Sequence, residues 1–212
     1  MSVPGPWRGL FDGAAEKRFP TGAPLLRQGD PATHALLLTA GRVKAVLTLP
    51  DGDTVLLAVR GPGELLGEIS LLGGDGRSAT VVAIDPCRTL VLPAGRFRER
   101  VASAGLEGEL LRRAMRRIRE GEEWRAEIAT LHSGPRVVRA LLRLAQADAR
   151  GTVEVGVGQE EIGQAVGLSR GVVAGELKAL RAAGLVETGR RRIVLRDLPR
   201  LRALAGPGQR DV

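Results

Sequence analysis

The sequence predicts an α+β chain in three zones: a β-rich domain at 1–104, a long helix at 105–132, and a compact helical domain at 133–212. Three observations carry that prediction. From about Phe19 to Phe97, short apolar runs recur at strand spacing between Gly/Pro turns. From about Leu106 to Leu131, apolar residues recur at alternating four- and three-residue steps, the period of a helix seam. From Ser133 onward, two short amphipathic segments flank a Gly-Leu turn.

In the first zone, Val43, Ala45, Leu47 and Leu49 alternate with Lys44, Val46 and Thr48, as in a half-buried strand. Pro50-Asp51-Gly52-Asp53 turns the chain, Val55 to Val59 forms the next strand, and Gly61-Pro62-Gly63 ends it. Thr80 to Ile84 and Thr89 to Leu92 are two more strands, split by Asp85-Pro86. Short strands with such turns point to a sandwich or barrel. Between them, residues 67–81 set one carboxylate, Glu68, and one guanidinium, Arg77, across a glycine-rich turn. A carboxylate accepts from a sugar hydroxyl, and a guanidinium grips a phosphate through two parallel hydrogen bonds. Glycines let backbone N–H groups approach an anion. The plainer alternative is a hairpin closed by a Glu68–Arg77 salt bridge.

In the second zone, Leu110, Ala114, Arg117, Gly121, Trp124, Ile128 and Leu131 keep coiled-coil spacing. Arg117 and Gly121 are poor seam residues, and a mid-helix glycine costs about 1 kcal/mol relative to alanine. A single amphipathic helix packed on its own domain is the alternative. In the third zone, Ser133 is placed to cap a helix with Pro135 in its first turn and Val138, Leu141, Leu142 and Ala145 on its apolar face. Gln159 to Val166 is a short helix, Gly167-Leu168 a tight turn, Ser169 a cap, and Arg170 to Ala183 a second helix closed by Gly184. Ile162, Val166, Leu168, Val173, Leu177 and Leu180 would share one small core, which makes a helix-turn-helix. Residues 187–195 read as strand-turn-strand, and Asp197-Leu198-Pro199 starts a last short helix.

Composition narrows the chemistry. The 212 residues are 43% hydrophobic but only 2% aromatic, so aliphatic side chains fill the core and aromatic base-stacking platforms are not expected. Lys plus Arg number 32 against 24 Asp plus Glu, a net charge of +8. That balance favours a polyanionic partner, nucleic acid first, with a generally arginine-rich composition as the alternative. Cys87 is the only cysteine, which rules out an internal disulfide, a four-thiolate iron–sulfur cluster and a thiolate zinc site. His34 and His132 lie far apart, and no metal-ligand spacing appears. The first ten residues carry no signal-peptide pattern and no apolar run reaches membrane-span length, so a cytoplasmic location is expected. No nucleophile–base pair and no P-loop ending appear, so an enzyme is not expected.

The order Gly67-Glu68-x-x-Leu71, then Arg77-Ser78-Ala79-Thr80-Val81, resembles the phosphate-binding cassette of cyclic-nucleotide-binding domains. Gly29-Asp30 and Gly41-Arg42-Val43 resemble the opening of the same domain. Residues 159–170, Gln159-Glu160-Glu161-Ile162-Gly163 through Gly167-Leu168-Ser169-Arg170, resemble the helix-turn-helix of Crp/Fnr transcription regulators. The resemblance spans almost the whole chain in that family's order. It implies a jelly-roll-like β-roll, a dimerisation helix and a winged helix-turn-helix.

By that resemblance, Glu68 takes the ribose 2′-hydroxyl, Arg77 and Ser78 hold the cyclic phosphate, Gly67 permits close approach, and Ile69 and Ala79 complete the cassette. The base-reading place on the long helix falls at Glu120 and Gly121, neither of which is the hydroxyl residue of the cyclic-AMP responders. Leu110, Ala114, Trp124, Ile128 and Leu131 become the dimer seam. Gln159, Ser169, Arg170, Lys178, Arg190, Arg191 and Arg192 become DNA contacts, while Gly171 and Gly175 stand where the family reads bases with Glu and Arg. The implied function is a ligand-modulated transcription regulator. A cyclic nucleotide, cyclic AMP or a relative, is its effector, with no covalent cofactor. Its partners are a palindromic double-stranded DNA site, a second copy of the chain and RNA polymerase. Two alternatives stay open: a cyclic-nucleotide-independent DNA-binding member, and a regulatory module whose degenerate helix-turn-helix contacts protein. A cysteine-cluster oxygen sensor fails on inventory. A haem sensor would have to use His34, which reads as a surface-turn residue.

Overall fold

The computed structural model describes residues 7–148 and 151–206. They divide into two compact units, one of described residues 7–53 and 60–122, the other of described residues 54–59, 123–148 and 151–206.

In the first unit a 3-10 turn, Arg8–Phe11, precedes β1 (Ala15–Phe19), β2 (Pro24–Leu26), β3 (His34–Ala40) and β4 (Val43–Thr48). After β5 (Thr54–Arg60), whose residues 54–59 are grouped with the second unit, come β6 (Leu65–Leu66), α1 (Glu68–Gly73), β7 (Thr80–Ala83), β8 (Cys87–Pro93) and α2 (Ala94–Ser103). α3 (Glu107–Thr130) follows. One antiparallel sheet runs β1–β8–β3–β6, with Phe19 opposite Cys87 and Ala35 opposite Leu92. The other sheet pairs β2 with β7 and β7 with β4, with Val43 opposite Ala83. Leu36, Leu38, Val43, Leu66, Val81 and Ala83 form one buried cluster of this unit. Trp7, Phe11, Leu37, Leu65, Phe97 and Leu110 belong to a second, which includes the first turns of α3. Two elements escaped the sequence reading. The segment after Gly67 is a short helix rather than a plain turn, and Ala94–Ser103 is a helix where only the end of the β zone was expected.

Gly41 makes the β3–β4 turn. Its φ is +81°, and a Cβ there would stand 2.5 Å from the Pro86 carbonyl oxygen. Beside it, buried Arg42 holds Asp85 through two bonds of 2.6 and 2.9 Å, and the Cys87 thiol donates to the Arg42 carbonyl. Burial pushes that thiol up to about 11, so it stays protonated. Gly41→Ala adds left-handed strain and a backbone clash, and is expected to cost about 2–3 kcal/mol in a urea melt followed by far-UV circular dichroism. An unchanged midpoint would contradict the close packing of this turn.

In the second unit α4 (Ser133–Leu144) is followed by β9 (Gln146–Ala147), β10 (Val153–Val155), α5 (Gln159–Val166), α6 (Arg170–Ala182), β11 (Val186–Gly189), β12 (Arg192–Leu195) and α7 (Leu198–Ala205). The strands form one small sheet, β11–β12–β10–β9. α5 and α6 are the expected helix-turn-helix. Gly167 is left-handed at φ +64°, and the Ser169 hydroxyl accepts from the Val172 N–H to cap α6. Ile162, Val166, Val173, Leu177 and Leu180 are buried as expected, with Leu168 half-buried. The start of α4 differs from expectation. His132 occupies the cap position and Ser133 lies in the first turn, where its hydroxyl bonds Glu176 of α6 at 2.6 Å. A carboxylate near a helix N-terminus suits the helix dipole.

The division between the units falls inside α3, at Glu122–Glu123. The last turns of α3 bond to α4. Arg143 lies over the Trp124 ring at 4.8 Å, Glu127 receives Arg139 at 3.2 Å and Arg143 at 2.8 Å, and Arg136 donates to the Leu131 carbonyl at 2.6 Å.

Candidate functional site

The cassette residues converge within the first unit. Gly67, at φ +80°, carries the chain from β6 into α1, so Glu68 is the first helical residue. Glu68 is 1% exposed. Oε1 receives Arg117 Nη1 at 2.8 Å and Arg113 Nε at 3.3 Å, both from α3. Oε2 is buried and has no partner among the described residues. A buried acceptor without a donor is costly, so this oxygen is poised to receive an N–H or O–H from something that enters.

Glu64 completes the cluster. It accepts from Arg113 Nη2, lies 3.6 Å from Arg117 Nη2 and 3.8 Å from Arg60 Nε. Arg117 also donates to the Leu65 carbonyl at 3.0 Å. Burial lowers the proton affinity of Arg117, while the Glu68 charge opposes that shift.

Arg77 is buried at 4% exposure. Its Nη1 donates to the Gly67 carbonyl at 2.8 Å and its Nη2 to the His34 carbonyl at 2.5 Å. A Cβ on Gly67 would fall 2.4 Å from Arg77 Nη1, so only glycine allows this contact. Burial lowers the proton affinity of Arg77, and the charges of Asp30 and Glu68 oppose that shift. The hairpin salt bridge between Glu68 and Arg77 does not form, because α3 supplies the cations for Glu68 instead. Ser78 is exposed, Ala79 half-buried, and Ile69 37% exposed beside them. His34 is not a surface-turn residue. It opens β3 half-buried, with Nδ1 2.9 Å from the Thr33 hydroxyl. Burial first, then Arg77 and Lys17, hold its imidazole below the usual range.

On α3, Glu120 is engaged by Arg60 at 3.0 Å, and no atom lies within 4 Å of a Cβ on Gly121. The α3 groups that reach Glu68 are Arg113 and Arg117, which the sequence reading missed as site residues. A signal was present, since Arg117 sat at a seam position where an apolar residue was expected.

The residues expected for the dimer seam fall in both units. Leu110 is packed in the core of the first unit at 2% exposure, Ala114 is half-buried, and Trp124, Ile128 and Leu131 belong to the second unit, Trp124 beneath Arg143. The exposed apolar stripe of α3 is Leu111, Met115 and Ile118, at 62%, 44% and 53%.

In the second unit Ser169, Arg170 and Lys178 are exposed at and along α6, and Gln159 opens α5 half-buried. Gly171 and Gly175 add no side chain to the exposed part of α6 between Arg170 and Lys178, where Val172 is 40% exposed. The β11–β12 hairpin turns at Arg190-Arg191, with Arg191 at φ +53°. Arg191 pairs with Glu161 at 3.0 Å, and Arg192 with Glu154 and with Asp148 at 3.7 Å. Arg190 is exposed and has no partner among the described residues. The wing charge is therefore partly neutralised by its own unit.

Comparison with known proteins agrees with this arrangement. Residues 16–104 match the cyclic nucleotide-binding domain and residues 135–204 the Crp-like helix-turn-helix domain, a pairing that defines a transcription regulator. The chain is 30% identical over 188 residues to the cyclic AMP receptor protein of Thermus thermophilus, covering 88% of this chain and 86% of that one. It is 29% identical over 191 residues to a CRP-like cAMP-activated global transcriptional regulator of Mycobacterium tuberculosis, covering 86% and 84%. The crystal structure of a CRP-family transcriptional regulator from Thermus thermophilus superposes with a TM-score of 0.67 at 30% identity, covering 90% and 96%. The chain belongs to the Crp/Fnr family.

Proposed function

We propose that this regulator binds a cyclic nucleotide, cyclic AMP or a relative, in its first unit, and a palindromic DNA site as a homodimer. The observation that carries the ligand reading is the buried, unpartnered Oε2 of Glu68, held beside Gly67 and Arg77. A ribose hydroxyl supplies the missing donor there. Arg77 keeps N–H groups beyond the two given to carbonyls, and these can meet a phosphate. Calorimetry with a panel of cyclic mono- and dinucleotides tests the reading, and no heat and no thermal shift with any member would defeat it. One observation favours a second reading, an effector-independent regulator: the two hydrogen bonds of Arg77 to the Gly67 and His34 carbonyls already fix it without an anion.

For DNA, Arg170 is the side chain suited to a guanine edge, and Lys178 and Arg190 to phosphates. Gln159 and Ser169 add neutral contacts at the helix starts. With Gly171 and Gly175 bare, selectivity is lower than two further base-reading side chains would give. Arg170→Ala is expected to cost about 1–3 kcal/mol at a selected site and little on random duplex, by fluorescence anisotropy. Arg190→Ala should weaken both duplexes alike and flatten the salt dependence, more than Arg191→Ala does, because Arg191 is already paired. Absence of binding to either duplex at low salt would favour the protein-contact alternative.

A further inference from the structure

We infer that Arg113 is a positioning residue for sugar recognition, one that sets which oxygen of Glu68 faces the ligand; the inference rests on the nucleotide reading above. Arg113 and Arg117 stand one helical turn apart on α3, so both reach the same side of the first unit. Both address Oε1 of Glu68, at 3.3 and 2.8 Å, and neither addresses Oε2. Arg113 also spans to the second carboxylate, bonding Glu64 through Nη2, and to the Leu65 carbonyl at 3.3 Å. Its fork thus ties the loop before β6 to the first residue of α1 across Gly67. The guanidinium geometry is the essential part. A planar fork engages two acceptors at fixed angles, whereas a single ammonium is a point charge.

With Oε1 occupied by two cations, the carboxylate plane is fixed and Oε2 is the oxygen left without a donor. Without Arg113, Arg117 still neutralises Glu68. The carboxylate is then free to rotate about its last torsion, and either oxygen can turn to Arg117. Affinity for the phosphate, borne by Arg77, should change little. What should change is the preference for a ribose over a deoxyribose.

The test is calorimetry on the full chain with two probes, cyclic AMP and 2′-deoxy cyclic AMP. A hydrogen bond to a charged acceptor gives the wild type a preference on the order of tenfold or more for the ribose form. Glu68→Gln, which keeps an acceptor but removes the charge, is the reference for a weakened contact. Arg113→Gln is expected to reduce the preference to about threefold or less, chiefly through loss of cyclic AMP affinity. Arg113→Lys keeps the positive charge between Glu64 and Glu68 and guards against misfolding. It is expected to lower the preference at least threefold as well, because an ammonium does not bridge both carboxylates in the plane. A purely structural role predicts parallel losses for both probes and an unchanged ratio, and that result in the two folded variants would overturn the inference while leaving the nucleotide reading intact. If the wild type binds neither probe, this inference falls, and the nucleotide reading falls with it only when no member of the cyclic-nucleotide panel binds.

Discussion

Arg77→Leu is expected to lower cyclic-nucleotide affinity by about 2–4 kcal/mol, roughly thirtyfold to a thousandfold. On the proposed reading the guanidinium is the charge that meets the ligand's phosphate next to Gly67, and it is buried, where a charge-assisted bond is strong. The same change also removes donors from the Gly67 and His34 carbonyls, which should reduce stability by about 1–3 kcal/mol. The two effects separate by measurement. Denaturant melts give the stability loss without ligand, and calorimetry on the folded fraction at low temperature gives the affinity loss. Glu68→Gln supplies the contrast, since it weakens the sugar contact and leaves Arg77 in place. If Arg77→Leu destabilises the first unit while affinity for every cyclic nucleotide stays within threefold, Arg77 is a structural strut and the effector-independent reading gains.

The cassette was legible because its residues are local. Gly67 and Glu68 are adjacent, Arg77 follows across one loop, and local order is what a sequence displays. The helix-turn-helix was legible for the same reason, with Gly167 at its turn and Ser169 at its cap. What stayed hidden depends on packing between distant segments. Arg113 and Arg117 join the site only because α3 packs on the first unit through Leu110. Periodicity shows that a helix has an apolar side. It does not tell whether that side faces its own unit or a second chain. On α3 two stripes one residue apart, Leu110–Ala114 and Leu111–Met115–Ile118, are both apolar, and only burial distinguishes them. The wing misleads in the opposite sense. Three consecutive arginines suggest a bare cationic tip, yet Arg191 and Arg192 meet acids contributed by α5, by β10 and by Asp148.

Those two stripes make opposite predictions for dimerisation. We propose the dimer contact at Leu111, Met115 and Ile118, which recur at four- and three-residue steps on the exposed side of α3. Burying an Ile or Leu side chain contributes about 1.5–3 kcal/mol, and a twofold axis makes every such residue count twice. Ile118→Glu removes two such contributions and sets two carboxylates near the same axis. The dissociation constant of the dimer is expected to rise at least a hundredfold, from about 3 kcal/mol or more, while both units stay folded. Sedimentation velocity across a concentration series reads the first result and circular dichroism the second. Leu110→Glu is the discriminating control. Leu110 is 2% exposed against Phe97 and Val101, so a buried charge there should unfold the first unit rather than yield a folded monomer. Ile128→Glu should act on the second unit, where Ile128 lies against Gly167. A folded monomer from Leu110→Glu together with an intact dimer from Ile118→Glu would return the interface to the stripe read from sequence periodicity. A wild type that sediments as a monomer at every concentration would end the dimer proposal.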